Sequence, residues 1–444
     1  MNAHSPIGDI LDMIIVGAGI SGIGMAVHLK RDCPDKSFVM LDRRDQVGGT
    51  WDLFRYPGIR SDSDMHTLGF SFAPWKHEKS IADGPAILDY LNDITDEYGL
   101  RDKMRFGQKV ISADWDSKTA LWTVTTQTAD GSHQRVQGRF LFLGSGYYDY
   151  DDPYDAGFKG RETFKGTIIH PQFWPKDFDY TGKKVVVIGS GATAVTIVPA
   201  MTKGGAAHVT QLQRTPTYMV SRPARDRIAN TLRKFLPEKL AYALTRLKNI
   251  TMQDLMFKRV RQNPQRSKDF ILGETARLLG PKFNETDFVP PYNPWEQRLC
   301  LVPDADFFTA INEGKASVVT DHIDSFDATG IKLKSGKHLD ADVIVTATGL
   351  SMAFAGKIAV EVDGKPVDFG KTFFYRNCMF SNIPNMAGVF GYINASWTLR
   401  VDIVGEYITR LIRQMDAYGA VAATPVLPEG GLTPDDVFAD FSSG

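Results

Sequence analysis

Two glycine-rich turns in the sequence have the spacing that binds the pyrophosphate of a dinucleotide. In the first, the apolar run 13–16 enters Gly-Ala-Gly-Ile-Ser-Gly at residues 17–22, and a segment with helical apolar spacing follows. Here Gly17 permits the tight bend, Gly19 lets the backbone approach a pyrophosphate, and Gly22 lets helix and strand pack closely. The free N–H groups and the positive dipole end of the helix then face the phosphates. A helix-packing glycine run without a ligand is the alternative interpretation.

A carboxylate follows the next predicted strand, residues 37–41. Asp42 lies twenty residues after Gly22, where an acidic side chain binds ribose hydroxyls and repels a 2′-phosphate. The first site therefore suits FAD or NAD better than NADP. The adjacent Arg43 and Arg44 weaken this argument from charge.

The second glycine-rich turn differs from the first at the position that distinguishes a ribose hydroxyl from a 2′-phosphate. The apolar run 185–188 enters Gly-Ser-Gly-Ala-Thr-Ala at residues 189–194, and a helical pattern follows. After the next predicted strand, residues 209–212, the chain carries Arg214 and Thr215 instead of a carboxylate. Arginine grips a phosphate bidentately, so this turn predicts NADPH. A solvated surface arginine is the alternative.

The presence of two such turns in one chain predicts its fold. We expect an α/β fold with two Rossmann-like dinucleotide-binding domains, one for FAD and one for NADPH. The expected boundaries are 1–150 for the first part of the FAD domain, 151–221 and 299–349 for the NADPH domain, 222–298 for a helical insertion in it, and 350–444 for the second part of the FAD domain.

Between the two turns, residues 164–175 read FKGTIIHPQFWP. This segment matches F-x-G-x-x-x-H-x-x-x-W-P at every fixed position, which is the fingerprint of the type I Baeyer–Villiger (class B flavoprotein) monooxygenases. Residues 48–62, with Gly-Gly-Thr-Trp, Tyr-Pro-Gly and then Asp62, resemble the second motif of that family, which lies along the flavin. The chain resembles most the ethionamide-activating branch, over residues 10–440. A Pro- and Gly-rich interdomain linker is the alternative interpretation of 164–175.

The resemblance implies a reaction and three catalytic residues. In the family NADPH reduces FAD, O2 adds to the reduced flavin, and one oxygen atom is inserted into a ketone to give an ester or lactone, or is delivered to thioether or thioamide sulfur. Arg298 aligns with the arginine that lies over the flavin, and Asp62 would orient its guanidinium. The position of His170 implies a hinge between the two domains rather than a proton donor. Gln297 stands where many members carry lysine, which leaves more of the NADPH phosphate to Arg214.

Motif and resemblance together give the expected site. The expected catalytic residues are Arg298, Asp62 and His170. The residues expected to bind the cofactors are Gly17, Gly19, Ser21, Gly22, Asp42, Gly49, Thr50, Trp51, Arg60, Ser61, Asp62, Val110, Gly189, Ser190, Gly191, Ala192, Thr193, Ala194, Arg214 and Thr215.

Composition limits the other functions. A formal net charge of −1 over 444 residues gives no global attraction to nucleic acid. The three cysteines have no C-x-x-C spacing, so no metal site is expected and a two-Rossmann disulfide reductase is disfavoured. No apolar run is long enough to span a membrane, and we expect a cytoplasmic enzyme. Residues 222–269 hold thirteen basic and four acidic residues, which predicts a solvated helical face or a contact with NADPH phosphates or an anionic membrane surface.

Three further functions stay open at this stage. A flavin-containing N- or S-monooxygenase without ketone activity shares both dinucleotide motifs but usually lacks the full 164–175 fingerprint. An NADPH-binding flavoprotein with oxidase activity only, or a sensor, would not need Arg298. The expected partners are O2 and a small ketone or sulfide, and the sequence does not give the oligomeric state.

Overall fold

A computed structural model describes residues 9–297, 299–392, 394–430 and 432. In these ranges the α-helices are α1 Ile20–Asp32, α2 Thr50–Leu53, α3 Met65–Leu68, α4 Gly84–Glu97, α5 Ala192–Lys203, α6 Arg227–Phe235, α7 Glu238–Gln262, α8 Pro264–Leu279, α9 Glu285–Phe288, α10 Asp306–Asn312 and α11 Trp397–Tyr418. The strands are β1 Leu11–Val16, β2 Phe38–Leu41, β3 Met104–Arg105, β4 Lys109–Asp116, β5 Leu121–Gln127, β6 His133–Leu143, β7 Thr167–Ile169, β8 Lys184–Ile188, β9 His208–Gln213, β10 Met219–Arg222, β11 Cys300–Pro303, β12 Ala316–Thr320, β13 Ile323–Asp327, β14 Gly330–Leu333, β15 His338–Asp340, β16 Val343–Thr346, β17 Ala359–Val362, β18 Lys365–Pro366, β19 Phe374–Tyr375, β20 Met379–Phe380 and β21 Met386–Gly388.

The first and last parts of the chain build one large sheet. Strand β1 pairs in parallel with β2 and β6, and β21 pairs in parallel with β6. The antiparallel strands β4 and β5 extend this sheet from β6. Helix α11 covers it together with α1 and buries Val401, Val404 and Ile408. Gly24 in α1 permits their close approach, because a Cβ atom there would lie 2.4 Å from Val401.

The second sheet is parallel throughout and runs in the order β12, β9, β8, β16, β7. Strands β8 and β16 in its middle read as nearly continuous apolar runs because the sheet is covered on both faces. Strand β7 comes from the FKGTIIHPQFWP segment and forms one edge of the sheet. Parallel strands in both sheets, with a glycine turn after β1 in the first and after β8 in the second, confirm the predicted α/β fold with two dinucleotide-binding domains.

Helices α6 to α9 lie between β10 and β11 and reach back to the first sheet. Arg246 of α7 donates from Nη2 to Asp402 Oδ2 of α11 at 2.8 Å and from Nη1 to the Gly69 carbonyl at 2.6 Å. Both charged side chains are largely buried. Removing either one would leave a buried charge without its partner, so this pair fixes α7 against the first domain.

Residues 53–59 belong to the first part of the chain but pack into the second domain. Phe54 and Tyr56 are buried in the same apolar cluster as Val195 and Ile197 of α5. Gly58 has a φ of +78°, and a Cβ atom there would lie 2.6 Å from Ala200. The two domains therefore share one apolar core at this point. Within the described ranges, no helix combines the length and the apolar character needed to cross a bilayer.

Candidate active site

Both glycine turns open onto one cleft with a volume of about 1730 Å³. The turns follow β1 and β8, so the cleft lies at the carboxyl ends of parallel strands. Ligands of open α/β sheets bind at such crevices. Nearly all described residues that the sequence assigned to cofactors or catalysis line this cleft; Gly22 and Ala194 do not.

The first turn has the shape that a pyrophosphate needs. Gly17 has a φ of +102°, and a Cβ atom there would lie 2.4 Å from the Gly144 carbonyl oxygen. A Cβ atom on Gly22 would lie 1.9 Å from the Gly17 carbonyl oxygen, so Gly22 serves the packing of α1 and not the ligand directly. Gly19 faces Gly49 across the cleft floor, with 3.3 Å from its Cβ position to the Gly49 Cα. The backbone of this turn therefore fits the pyrophosphate of FAD.

Asp42 is held rigidly at the end of β2. Its Oδ2 accepts a hydrogen bond from the Ala18 N–H at 2.6 Å, and its Oδ1 accepts one from the Arg44 N–H at 2.8 Å. Burial raises the pKa of the Asp42 carboxyl, and the two N–H groups oppose this shift. Arg43 forms a salt bridge with Asp151.

The neighbouring arginine is also engaged elsewhere. The guanidinium of Arg44 forms a salt bridge with the buried Asp52. Both cations next to Asp42 therefore have other carboxylate partners, although both still act on the Asp42 carboxyl by charge.

The segment from Gly49 to Asp62 forms the wall of the cleft. Thr50 and Trp51 begin the short helix α2, and the Thr50 side chain is hydrogen-bonded to Tyr150. Ser61 donates from Oγ to the Ser63 carbonyl at 2.7 Å. Asp62 and Val110 also line the cleft. The Ser21 hydroxyl accepts a hydrogen bond from Trp397 Nε1 at 2.7 Å.

Arg60 has a role that the sequence did not indicate. Its Nη1 donates to Asp306 Oδ2 of α10 at 2.6 Å, and the two side chains are 13% and 12% exposed. Among the described residues, its Nε and Nη2 are buried without a hydrogen-bond partner. Arg60 lines the cleft, so it joins the two domains and can offer further donors to a bound ligand.

The second turn is more open. Gly189 has a φ of +138°, and a Cβ atom there would lie 2.2 Å from the Ala347 carbonyl oxygen. A Cβ atom on Gly191, by contrast, would meet only open space. Ser190, Ala192 and Thr193 line the cleft at the start of α5. The buried Ala194 packs beneath them.

Arg214 and Thr215 follow β9 at the edge of the same cleft. Arg214 is exposed, and its neighbour Gln213 turns away and donates from Nε2 to Thr320 at 2.9 Å. The guanidinium is therefore accessible to a phosphate at the end of β9. This placement fits the 2′-phosphate of NADPH.

His170 lies where the chain enters and leaves the second domain. Its Nδ1 accepts a hydrogen bond from the Gln172 N–H at 3.2 Å, so Nε2 carries the proton that faces the Gly349 carbonyl at 3.3 Å. Burial lowers the pKa of the His170 imidazole, and the bond to Gly349 partly opposes this. Gln172 Nε2 donates to the Asp149 carbonyl at 2.7 Å on the other crossing segment. With Nδ1 as an acceptor the imidazole is neutral, and His170 contacts one crossing segment while Gln172 contacts the other.

Arg298, the predicted catalytic cation, lies outside the described residues. Its neighbours Gln297 and Leu299 line the cleft, as does Asp62. The sequence missed the aromatic floor of the site: Tyr147 stacks on Trp397 with 5.3 Å between ring centroids. The signal was available, because Tyr147 follows directly after the turn 144–146 that ends β6.

Two dinucleotide turns on one cleft, the first with a buried acid and the second with an accessible arginine, define a flavoprotein with two nucleotide-binding domains. The family model described as "Pyridine nucleotide-disulphide oxidoreductase" matches residues 14–272. The FAD-containing monooxygenase EthA of Mycobacterium tuberculosis is 50% identical over 98% of this chain and 88% of its own length. "Probable FAD-binding monooxygenase AlmA" of Acinetobacter baylyi is 49% identical over 98% of this chain and 87% of its own length.

Solved structures show the same fold. A steroid monooxygenase bound to NADP superposes with a TM-score of 0.79 at 24% identity, over 93% of this chain and 87% of that one. An open structure of cyclohexanone monooxygenase gives a TM-score of 0.76 at 22% identity, over 96% of this chain and 91% of that one. The chain belongs to the pyridine nucleotide-disulphide oxidoreductase family and, within it, to the FAD-containing monooxygenases. The family and the enzyme class predicted from the sequence are confirmed, and the predicted cofactors FAD and NADPH agree with these comparisons.

Proposed function

We propose that this enzyme is an FAD- and NADPH-dependent Baeyer–Villiger monooxygenase that inserts one oxygen atom of O2 into ketones to give esters or lactones. We also propose that it oxidises thioethers and thioamides at sulfur. The observation that carries the proposal is that Asp62, His170 and both glycine turns lie on one cleft. These are the residues by which the 48–62 and 164–175 motifs resemble the Baeyer–Villiger family.

Each cofactor has a distinct set of holding residues. The first glycine turn and the α1 N-terminus would bind the FAD pyrophosphate, and Asp42 would bind its ribose hydroxyls. Arg214 and Thr215 would hold the 2′-phosphate of NADPH. Bound FAD supplies the oxygen chemistry after NADPH has reduced it. The protein supplies position, charge and exclusion of water.

A permanent cation is needed beside the reacting oxygen. Negative charge that develops on oxygen is stabilised most by a fixed cation in a site with little water. Arg298 supplies that cation in our proposal, and Asp62 fixes the direction of its guanidinium. Arginine suits this role because it stays protonated at all working pH values.

His170 would act through position and not through proton transfer. Its imidazole joins the residue after β7 to Gly349, which follows the neighbouring strand β16 where the chain leaves the second domain. A neutral histidine at this point can act as a hinge.

The decisive experiment follows oxygen atoms into products. Purified enzyme is supplied with NADPH, isotopically labelled O2 and a panel of ketones and thioethers, and the products are identified by mass. We expect one labelled oxygen atom in an ester or lactone, with NADPH consumed in proportion. NADPH consumption that yields hydrogen peroxide alone for every substrate would contradict the proposal and support an oxidase.

A monooxygenase restricted to nitrogen or sulfur is the second candidate. Its supporting observation is that the relatives are named only as FAD-containing monooxygenases, without a ketone substrate. Labelled sulfoxide without labelled ester in the same panel would favour it. The two outcomes are separated in one set of reactions.

A further inference from the structure

The outward face of α7 carries a stripe of exposed leucines. Leu240, Leu244, Leu247 and Leu255 have exposed fractions of 48%, 42%, 64% and 56%. At about 100° per residue, all four lie within an arc of roughly 80°, less than one-quarter of the helix circumference, with the exposed Thr251 among them. Single exposed leucines are ordinary, but several on one face of a helix mark an interaction surface.

The neighbouring helices α6 and α8 also carry exposed apolar side chains. Phe235, at the end of α6 and just before α7, is 80% exposed, and Ile228 lies seven residues earlier on the same face of α6. Phe270 of α8 is also exposed. We call the four leucines of α7 with Ile228 and Phe235 the leucine face.

Positive charge surrounds the leucine face. Residues 222–269 contain thirteen basic and four acidic residues, although the whole chain is close to neutral. Lys239, Lys258, Arg259 and Arg261 of α7 are all exposed. An apolar stripe flanked by lysine and arginine is the pattern of a helix that lies in the headgroup region of a membrane.

We propose that the leucine face docks this enzyme onto an anionic lipid bilayer as a peripheral protein. The basic residues would bind lipid phosphates, and the leucines and Phe235 would enter the boundary of the acyl chains. A second copy of this chain is a poorer occupant, because a symmetric contact would bring the basic flanks of both copies together. The docking does not depend on which substrate the enzyme oxidises.

The opposite side of α7 faces the active site. Gln253 falls across the helix from the leucines, lines the cleft, and has a buried Oε1 without a hydrogen-bond partner among the described residues. Arg246 fixes α7 to Asp402 of the first domain. The bilayer would therefore lie beside a helix that forms part of the cleft wall and is fixed to the first domain.

The test is flotation with vesicles of phosphatidylcholine, with or without about one-third phosphatidylglycerol, at about physiological salt. The FAD-loaded enzyme should float with the anionic vesicles and at least roughly tenfold less with the neutral ones. The double variant Leu244→Glu/Leu247→Glu should lose this binding by a similar factor. Ile403→Glu is the matched control, because Ile403 is an equally exposed aliphatic residue on α11, at 58%.

A second variant tests the charge separately. Lys258→Glu/Arg261→Glu should weaken binding to anionic vesicles most at low salt, because screening already reduces the attraction at high salt. FAD content and thermal unfolding must stay as in the wild type for both double variants. Equal flotation of wild type and Leu244→Glu/Leu247→Glu would overturn the proposal. So would a wild-type dimer in solution that becomes monomeric in the leucine variant, since the leucine face would then serve a second copy.

Discussion

The imidazole Nε2 of His170 lies 3.3 Å from the carbonyl oxygen of Gly349, 179 positions further along the chain. Gly349 stands on the segment by which the backbone leaves the second nucleotide domain after β16, and His170 follows β7 at the edge of the sheet of that domain. Asp149 strengthens the junction, because it donates its N–H to the Ser351 carbonyl at 2.8 Å and accepts from Gln172. Motion between the domains has to be accommodated at this junction.

Replacement of His170 should separate cofactor binding from cofactor use. We expect His170→Ala to retain FAD, because the first glycine turn lies on another element, and to slow flavin reduction by NADPH. His170→Gln should recover part of the rate, since its amide can still donate to the Gly349 carbonyl. Anaerobic stopped-flow reduction measures this step. An unchanged rate in His170→Ala would show that the contact is merely structural.

The same residue predicts a dependence of stability on pH. Burial lowers the pKa of His170 in the folded protein, so below an unfolded value of about 6.5 the unfolded chain binds more protons than the folded one. The stabilisation is present above that pH and is lost as pH falls through the folded pKa. The unfolding temperature of His170→Gln should therefore fall less on acidification than that of the wild type. His133→Gln, at an exposed position on β6, is the control.

Asp42 should decide how tightly FAD is held. Asp42→Asn keeps the shape but removes the charge, and a lost charge-assisted contact costs about 1.5–3 kcal/mol. Affinity for FAD should fall roughly tenfold to 150-fold, measured by flavin fluorescence on titration of the apoprotein. Asp45→Asn, at an exposed position nearby, should bind FAD as the wild type does. Unaltered affinity in Asp42→Asn would remove this residue from the FAD site.

Arg214 should decide the choice between NADPH and NADH. Arg214→Ala removes the cation at the end of β9 and should lower NADPH affinity by roughly tenfold to 150-fold, or about 1.5–3 kcal/mol. Use of NADH should stay nearly the same, because NADH has no 2′-phosphate. Initial rates with both cofactors give the comparison, with the exposed Lys203→Ala as control. An equal loss for both cofactors contradicts the assignment.

Arg298 should decide whether electrons reach the substrate. Arg298→Ala should bind FAD, but without the cation more of the electrons should leave as hydrogen peroxide instead of product. Arg298→Lys should restore only part of the coupling, because a point charge cannot replace the planar fork. The ratio of product to NADPH consumed measures the effect, and exposed Arg266→Ala is the control. Wild-type coupling in Arg298→Ala would assign the role to another cation.

Local patterns made much of the fold predictable. The glycine turns lie where they were expected, after β1 and β8. They were predictable because the spacing of their glycines specifies a bend, a close approach of the backbone and a packed helix within a few residues. Strand ends differ only slightly: residues 37–41 were expected and β2 is Phe38–Leu41. Val401, Val404 and Ile408 recur at helical spacing in the sequence and are buried in α11, whereas Leu411 at the same spacing is only partly buried.

Long-range contacts could not be predicted in the same way. Arg60 and Asp306 are 246 positions apart, and no local pattern links them. The hydroxyl of Tyr56 reaches the side chain of Thr193, which depends on how residues 53–59 enter the other domain. Leu240, Leu244 and Leu247 recur at helical spacing in the sequence, but such spacing is the same for a buried and an exposed face of a helix.

The apolar residues 53–59 have a consequence for protein engineering. Because Phe54 and Tyr56 complete the core of the other nucleotide domain, the two domains are not exchangeable modules along the linear chain. A chimera that takes the second domain from a relative would pair a foreign α5 with this native segment. The chimera would therefore also need residues 53–59 from the donor. Those residues lie in a loop that also borders the flavin site, so the donor segment must be joined to the native chain at both of its ends. Recombination libraries that exchange residues 53–59 together with the second domain should contain more folded members than libraries whose only exchange points are the crossing segments.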